Sequence, residues 1–305
     1  MSPIVVPPAS TETVEGTVGY MDLTDAVGDR VGFHWLEDRR LTNVQGLPGL
    51  GMPGARAAIR ARPSYHGATN RSRWQKDRLI TLEGYCKGEN AAAAQDQLDT
   101  IVAPLWDAIN TDRILRWRRG GTGIDLQCTV RFAPDDLSVS QEINGRLLRY
   151  QAHLHAPDPR AYLQTQSSEV GDALSASAGG KIYPYDYPRM YVASSGGQAS
   201  LNNTGMVSTP LVIRVYGYCT APTVRLLSTG EQIVLAGEVS AGDYVEIDVF
   251  ARTVTLNSVT LRNKLIDFSA TTWFELPHGS QSIQLLSSNF DTNAHVEALW
   301  RPAYV

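Results

Sequence analysis

The sequence is poor in cysteine, with Cys86, Cys128 and Cys219 the only three in 305 residues. They are far apart and odd in number, which excludes a disulfide framework and a CxxC zinc knuckle. They read instead as small buried apolar side chains of a protein made in a reducing cytoplasm. Long hydrophobic runs are also lacking, and no stretch approaches the ~18 apolar residues of a membrane-crossing helix. The opening Met1-Ser-Pro-Ile-Val-Val-Pro-Pro8 has neither a basic start nor an extended apolar segment, so no secretory signal is expected. A basic surplus is missing as well: 27 Lys and Arg against 31 Asp and Glu leave a net charge of −4. That balance argues against a dedicated binder of duplex DNA or RNA. What remains, 43% hydrophobic and 19% charged residues, is the composition of a folded globular protein, and the length favours two domains.

Short strands separated by turn residues dominate the pattern. Val14–Tyr20 and Val31–Trp35 alternate, and Arg78–Gly84 is a clean strand. Residues 37–77 are rich in Gly, Pro and Arg without a sustained period, which reads as a long surface excursion or an arm that orders on a partner. One helix is expected over about 90–109. Leu98, Ile101, Val102, Leu105, Trp106 and Ile109 form its apolar stripe, Asn90 its N-cap, and Pro104 a kink. Ile124, Leu126, Cys128, Val130 and Phe132 then alternate, Asp135-Asp136 reads as a turn, and Asn144-Gly145 signals a hairpin between Leu137–Ile143 and Arg146–His155. The prolines of Ala156–Arg160 end that sheet. A Ser-, Gly- and Tyr-rich tract over 164–198 is taken as the connection, with an extended piece around Ile182–Tyr191. Residues 199–305 carry about eight short alternating strands with turns at intervals of roughly 8–12 residues, the pattern of an antiparallel sandwich.

No catalytic constellation emerges from these residues. Gly49-Leu-Gly-Met-Pro-Gly54 matches GxGxxG literally, but no buried strand precedes it and no βαβ rhythm surrounds it, so it reads as a loop. His153 and His155 share a strand face without a third metal ligand, which favours a solvated or inter-subunit face. Asp243 and Asp248 point to opposite sides of a strand and cannot work as a carboxylate pair. Basic residues cluster in two stretches, Arg56 to Arg78 and Arg113 to Arg119, with tryptophans beside them. In an acidic chain this combination favours contacts between subunits over a nucleic-acid groove. The interface candidates are Arg56, Arg60, Arg62, Trp74, Arg113, Arg116, Arg118 and Arg119.

A run of turn and core residues in the C-terminal half then becomes informative by its order and spacing. It comprises Leu201-Asn-Asn-Thr-Gly205, Pro210–Ile213, Gly217, Pro222, Thr229-Gly230, Ala241-Gly-Asp243, Ile247-Asp248, Thr253-Val254, Asn257, Leu276-Pro-His-Gly279 and Leu299–Tyr304. In this run the chain resembles the distal tail, or minor tail, proteins of long-tailed bacteriophages. Gly49–Arg56, Gly67, Arg78–Gly84 and Asp158–Tyr162 fit the same family's N-terminal domain. His278 between Pro277 and Gly279 departs from its usual Pro-Gly turn.

The resemblance implies a mainly β protein. Residues 1–163 would be a ring-forming α+β domain with one amphipathic helix and a long hairpin arm at 37–77, and 199–305 a galectin-like β-sandwich. It further implies a structural, non-enzymatic virion protein without cofactors or metals, made in the host cytoplasm and sited at the phage tail tip. It would form a homo-oligomeric, hexameric ring joining the tail tube protein to the tail-tip hub or baseplate, with other adhesion-device proteins as further partners. Neither a membrane nor nucleic acid is expected as a partner, apart from DNA passing through the ring. The competing expectation is a carbohydrate- or receptor-binding tip protein that acts through the sandwich, for which Trp273 and Trp300 are the available aromatic residues.

Overall fold

The computed structural model describes residues 21–24, 30–32, 39–41, 50–61, 66, 68–107, 109, 111–119, 123–142, 145–175 and 197–305. The strand expected over Val14–Tyr20, residues Phe33–Trp35, the piece around Ile182–Tyr191, and Arg62 and Asn144 lie outside them. The chain is mostly β and divides into two units, residues 1–164 together with Val305, and residues 165–304.

In the first unit the strands are β1 Met21–Thr24, β2 Arg30–Gly32, β3 Arg39–Leu41, β4 Ala55–Ala61, β5 Ala68–Gln75, β6 Arg78–Lys87, β7 Arg113–Arg119, β8 Ile124–Glu142, β9 Leu147–Ala156 and β10 Ala161–Leu163. One sheet runs in the order β2-β1-β7-β8-β9-β6-β3, with β10 beside β8. Its neighbouring strands run antiparallel. Strict alternation puts Ile80, Leu82, Leu126, Cys128, Val130, Leu148, Ala152 and Leu154 on one buried face. Helix α1, Ala91–Asp107, packs on β6, β8 and β9 and turns Ala94 and Leu98 into that core. Asn90 caps it as expected, its Oδ1 accepting from the Ala93 N–H at 2.8 Å. The helix runs on through Pro104 without a break.

Residues 37–77 contain β3, β4 and β5. Among the described residues β4 and β5 pair only with each other, as an antiparallel pair. One expectation for this unit needs correction: Asp135-Asp136 is not a turn between strands. Ala133–Asp136 bulge out of the continuous strand β8, since Phe132 faces Leu154 and Leu137 faces Ala152. Pro134, with no N–H for a ladder, sits in that bulge. β8 and β9 pair as the expected hairpin: Glu142 pairs Leu147, and Gly145 adopts φ +75°, a left-handed conformation natural to glycine.

The second unit contains β11 Ser167–Val170, β12 Gln198–Asn203, β13 Leu211–Tyr216, β14 Cys219–Thr220, β15 Thr223–Leu226, β16 Gln232–Val234, β17 Glu238–Val239, β18 Tyr244–Asp248, β19 Thr253–Leu256, β20 Thr260–Leu261, β21 Gly279–Leu286, β22 Asn289–Phe290 and β23 His295–Trp300. A six-stranded sheet, β11-β23-β13-β18-β19-β20, and a four-stranded sheet, β12-β21-β15-β16, share one core, with β17-β14-β22 as a small third sheet. Ile213, Val215, Val245, Ile247, Val296 and Ala298 enter that core from the first sheet, and Leu201, Val224, Leu226, Ile283 and Leu285 from the second. The sandwich therefore begins earlier than 199. β11 pairs with β23 from Ser167↔Trp300 to Val170↔Glu297, and Leu174 is buried in the core. The polar Ser-Ser-Glu-Val sequence of β11 fits a half-exposed edge strand and carries no apolar alternation, which is why it reads as linker.

Candidate interaction surfaces

The interface candidates of β7 do not share one face, and the pleat of the strand explains the division. In β7 alternate residues face opposite ways. Arg113, Leu115 and Trp117 are buried, while Arg116 and Arg118 lie on the other face and Arg119 is exposed. Arg118 stands opposite Asp125 on β8 and grips it with two hydrogen bonds, Nε to Oδ1 at 2.7 Å and Nη2 to Oδ2 at 3.1 Å. Arg116 reaches the Gln127 Oε1 at 3.5 Å. On the hairpin, Arg56 of β4 is exposed opposite Trp74 of β5, whose side chain is 68% exposed. Arg60 lies opposite Thr69 in the ladder.

At the foot of this ribbon the Lys76 N–H donates to the Gly54 carbonyl at 2.7 Å. Next to it the His155 Nε2 and Asp77 Oδ2 lie 2.8 Å apart. The hydrogen bond to His155 holds the Asp77 carboxyl below its ordinary value. His153 shares the strand face with His155 and bonds to Thr81 Oγ1 at 3.0 Å through Nδ1. Both imidazoles thus join β9 to neighbouring residues. Among the described residues no cluster of three His, Cys, Asp or Glu could hold a metal ion. Gly51–Gly54 precede strand β4, in a loop and not at a helix N-terminus.

In the sandwich, the outer face of the six-stranded sheet carries a polar network that the sequence reading did not single out. The registers Arg214↔Glu246, Arg214↔Glu297, Tyr216↔Tyr244 and Tyr216↔His295 place these side chains in two adjacent rows. Arg214 donates to Glu246 Oε2 at 2.8 Å and to Glu297 Oε2 at 3.4 Å, and the Tyr216 hydroxyl donates to the same Glu297 oxygen at 2.9 Å. The hydrogen bond to Glu246 raises the Arg214 pKa. The Tyr216 ring stacks on His295 with centroids 5.0 Å apart and 9° between planes. The signal was available: these residues occupy the alternate positions to the apolar ones that defined each strand. Trp300 is buried and Trp273 packs against the core, so neither offers an open stacking platform.

The residues that carry the resemblance are mostly structural. Asn203 is fully buried. Its amide donates to the carbonyls of Val207 at 2.9 Å and Leu276 at 3.2 Å, and its Oδ1 accepts from the Gly205 N–H at 2.9 Å. A Cβ at Gly205 would stand 2.4 Å from the Ala303 carbonyl oxygen, so only glycine fits there. Thr209 Oγ1 donates to the Arg301 carbonyl at 2.6 Å. Asp243 accepts from the Asn257 amide at 2.9 Å, and Asp248 accepts from the Ala251 N–H at 2.9 Å, which makes both of them turn residues. Asn257 and Ser258 have φ of +51° and +55°, the two left-handed positions of a tight hairpin turn. In the first unit Asp158 accepts from the Arg160 backbone at 3.1 Å and from the Tyr162 hydroxyl, while Arg78 donates twice to the Pro159 carbonyl at 2.9 and 2.7 Å.

Among the described residues, a mainly β unit with one α-helix and a paired β4–β5 ribbon is followed by a β-sandwich held by structural turns. Residues 204–304 match the family model described as the siphovirus-type tail component, C-terminal domain. The resemblance to phage distal tail proteins is thereby borne out. The fold is similar to that of the SPP1 Dit (gp 19.1) protein, described as a paradigm of the hub adsorption apparatus in phages infecting Gram-positive hosts. The TM-score is 0.64 at 9% identity, over 93% of this chain and 99% of that one. A chain of the phage P2 baseplate in its activated conformation with Ca matches at TM-score 0.49 and 12% identity, over 92% of this chain and 97% of the other. No curated protein matches the sequence.

Proposed function

We propose that this protein is a structural component of a long-tailed phage, a distal tail protein that assembles as a hexameric ring between the tail tube and the tip hub or baseplate. The observation that carries the reading is the pairing of a tail-component C-terminal domain with a fold that follows the SPP1 Dit protein along nearly its whole length. Its action is mechanical. Each copy presents two different surfaces to its neighbours, and such heterologous contacts close into a ring. The β4–β5 ribbon and the outer face of β7 are the contact surfaces proposed for the first unit. No enzymatic step is assigned to it.

Negative-stain electron microscopy with mass measurement by light scattering tests this directly. Rings of six 33.3-kDa copies, about 200 kDa, are expected. Particles that remain at the monomer mass at every concentration would remove self-assembly from the reading.

A further inference from the structure

Strand β20 ends the six-stranded sheet of the sandwich and, among the described residues, pairs only with β19. The Arg262 N–H donates to the Val254 carbonyl at 2.7 Å. Antiparallel ladders alternate, so the N–H and C=O of Leu261, which stands opposite Thr255, point away from β19 to the open edge. Other edges of the sandwich are treated differently. Along β16 the Asp267 and Thr272 N–H groups donate to the Val234 and Gln232 carbonyls at 3.0 and 2.7 Å, and the Val234 N–H donates to Thr271 Oγ1 at 3.0 Å. That edge is covered by the chain itself. β11, at the far end of the six-stranded sheet, is Ser-Ser-Glu-Val and carries its own carboxylate.

Large apolar side chains stand exposed at the β20 edge. Val259 is 84% exposed, Leu261 is 61% exposed, and Phe250, in the turn from β18 to β19, is 61% exposed. An unpaired strand edge with such side chains is a template for another strand. Charge selects which strand. Residues 249–266 include Arg252, Arg262 and Lys264 and no Asp or Glu, although residues 165–304 hold twelve acidic residues against eight basic ones. All three cations are exposed, and none forms an ion pair among the described residues. Pairing of two β20 edges would bring the same cations together, so the charge disfavours a second copy. It favours a strand of opposite sign.

We infer that an extended segment of a different protein, one in which acidic residues alternate with large apolar ones, adds to the open edge of β20 as a seventh strand. Its backbone pairs with the N–H and C=O of Leu261, and its apolar side chains cover Val259 and Leu261. Its carboxylates meet Arg252, Arg262 and Lys264. This contact goes beyond the ring proposed above and does not depend on it. The test titrates the full chain, at low ionic strength, with short synthetic peptides in which Glu alternates with Val, Leu or Phe. Fluorescence anisotropy reads affinity and amide exchange reads the edge. Bound peptide should slow exchange at Leu261, whose N–H is open, more than at Arg262, whose N–H is already bonded to Val254. Arg262→Glu with Lys264→Glu should weaken binding about tenfold or more. Leu261→Pro removes the outward N–H without removing a ladder bond to β19, a position where an edge strand tolerates proline. It should abolish binding, whereas Leu261→Ala keeps the N–H and should lose less than about tenfold. Circular dichroism of each variant checks that it is folded.

A proline variant that binds as well as the alanine variant would overturn strand addition. So would bound peptide that leaves exchange at Leu261 unchanged, a reading taken on the wild type alone. Failure of the wild type to bind any of these peptides would overturn it as well. The remaining rival is a general anionic surface. If vesicles of phosphatidylglycerol, or peptides of the same composition interrupted by prolines, bind equally well, the edge recognises charge alone and the strand reading is wrong. None of these outcomes touches ring assembly, which particle mass tests separately.

Discussion

Asn203 shows how much a single buried amide can organise. It is fully buried and saturates both ends of its side chain on backbone groups of the Asn203–Val207 turn and of Leu276. Asn203→Ala would leave buried donors and acceptors without partners, which costs roughly 2–4 kcal/mol. Urea denaturation is the check, and a loss below half a kcal/mol would mean that the turn is held by other contacts. The cysteines make a chemical prediction. Burial pushes the Cys128 thiol up to about 12 and the Cys219 thiol up to about 11, so neither forms thiolate near neutral pH. A thiol reagent should label neither in the native protein and both after unfolding. Asp77 supplies a pH prediction. Its folded pKa is depressed by His155, so its contribution to stability is present above the ordinary carboxylate range and lost as pH falls through the lowered value. His155→Ala should return the Asp77 titration upward, as followed by carboxyl NMR. An unmoved midpoint would mean that His155 is not the cause.

At the scale of elements, the helix N-cap is the simplest quantity to measure. Asn90→Ala should cost about 1 kcal/mol and speed amide exchange in the first turn of α1. The helix was legible because two signals agreed: the cap residue and the apolar stripe. The strands of the sandwich were legible for the same reason, since Leu211, Ile213 and Val215 or Val245 and Ile247 alternate against a single core. Legibility ended where that core ended. The ribbon β4–β5 carries no apolar alternation in its sequence, and β11 is a polar edge strand. The β8 bulge looked like a turn because proline and two acidic residues signal one locally, whereas the register continues on either side. The interface candidates show the same limit in another form. A run of arginines in sequence says nothing about the pleat, and in β7 the pleat sends Arg113 inward while Arg116 and Arg118 face the other way.

For the whole molecule, the boundary between the two units is a testable quantity. A fragment beginning at 165 keeps β11 on the edge of β23 and Leu174 in the core, whereas one beginning at 199 loses both. The shorter fragment should be less stable by roughly 2–4 kcal/mol, the scale of removing one large core side chain, and more prone to associate through the uncovered edge. Equal melting curves for the two would place the boundary where the sequence alone put it. Strand β8 adds a consequence of another kind. It has 19 residues, and it is shared: Ile124–Val130 pair with β7, and Arg131–Phe132 and Leu137–Glu142 with β9. Its ladder bonds lie perpendicular to the strand. Tension applied along β8 therefore loads them in shear, all at once, while a pull at the hairpin tip would unzip them pair by pair. The four-residue bulge divides the strand into two stiff rods joined by a yielding segment, so a force entering at one end would be absorbed there first.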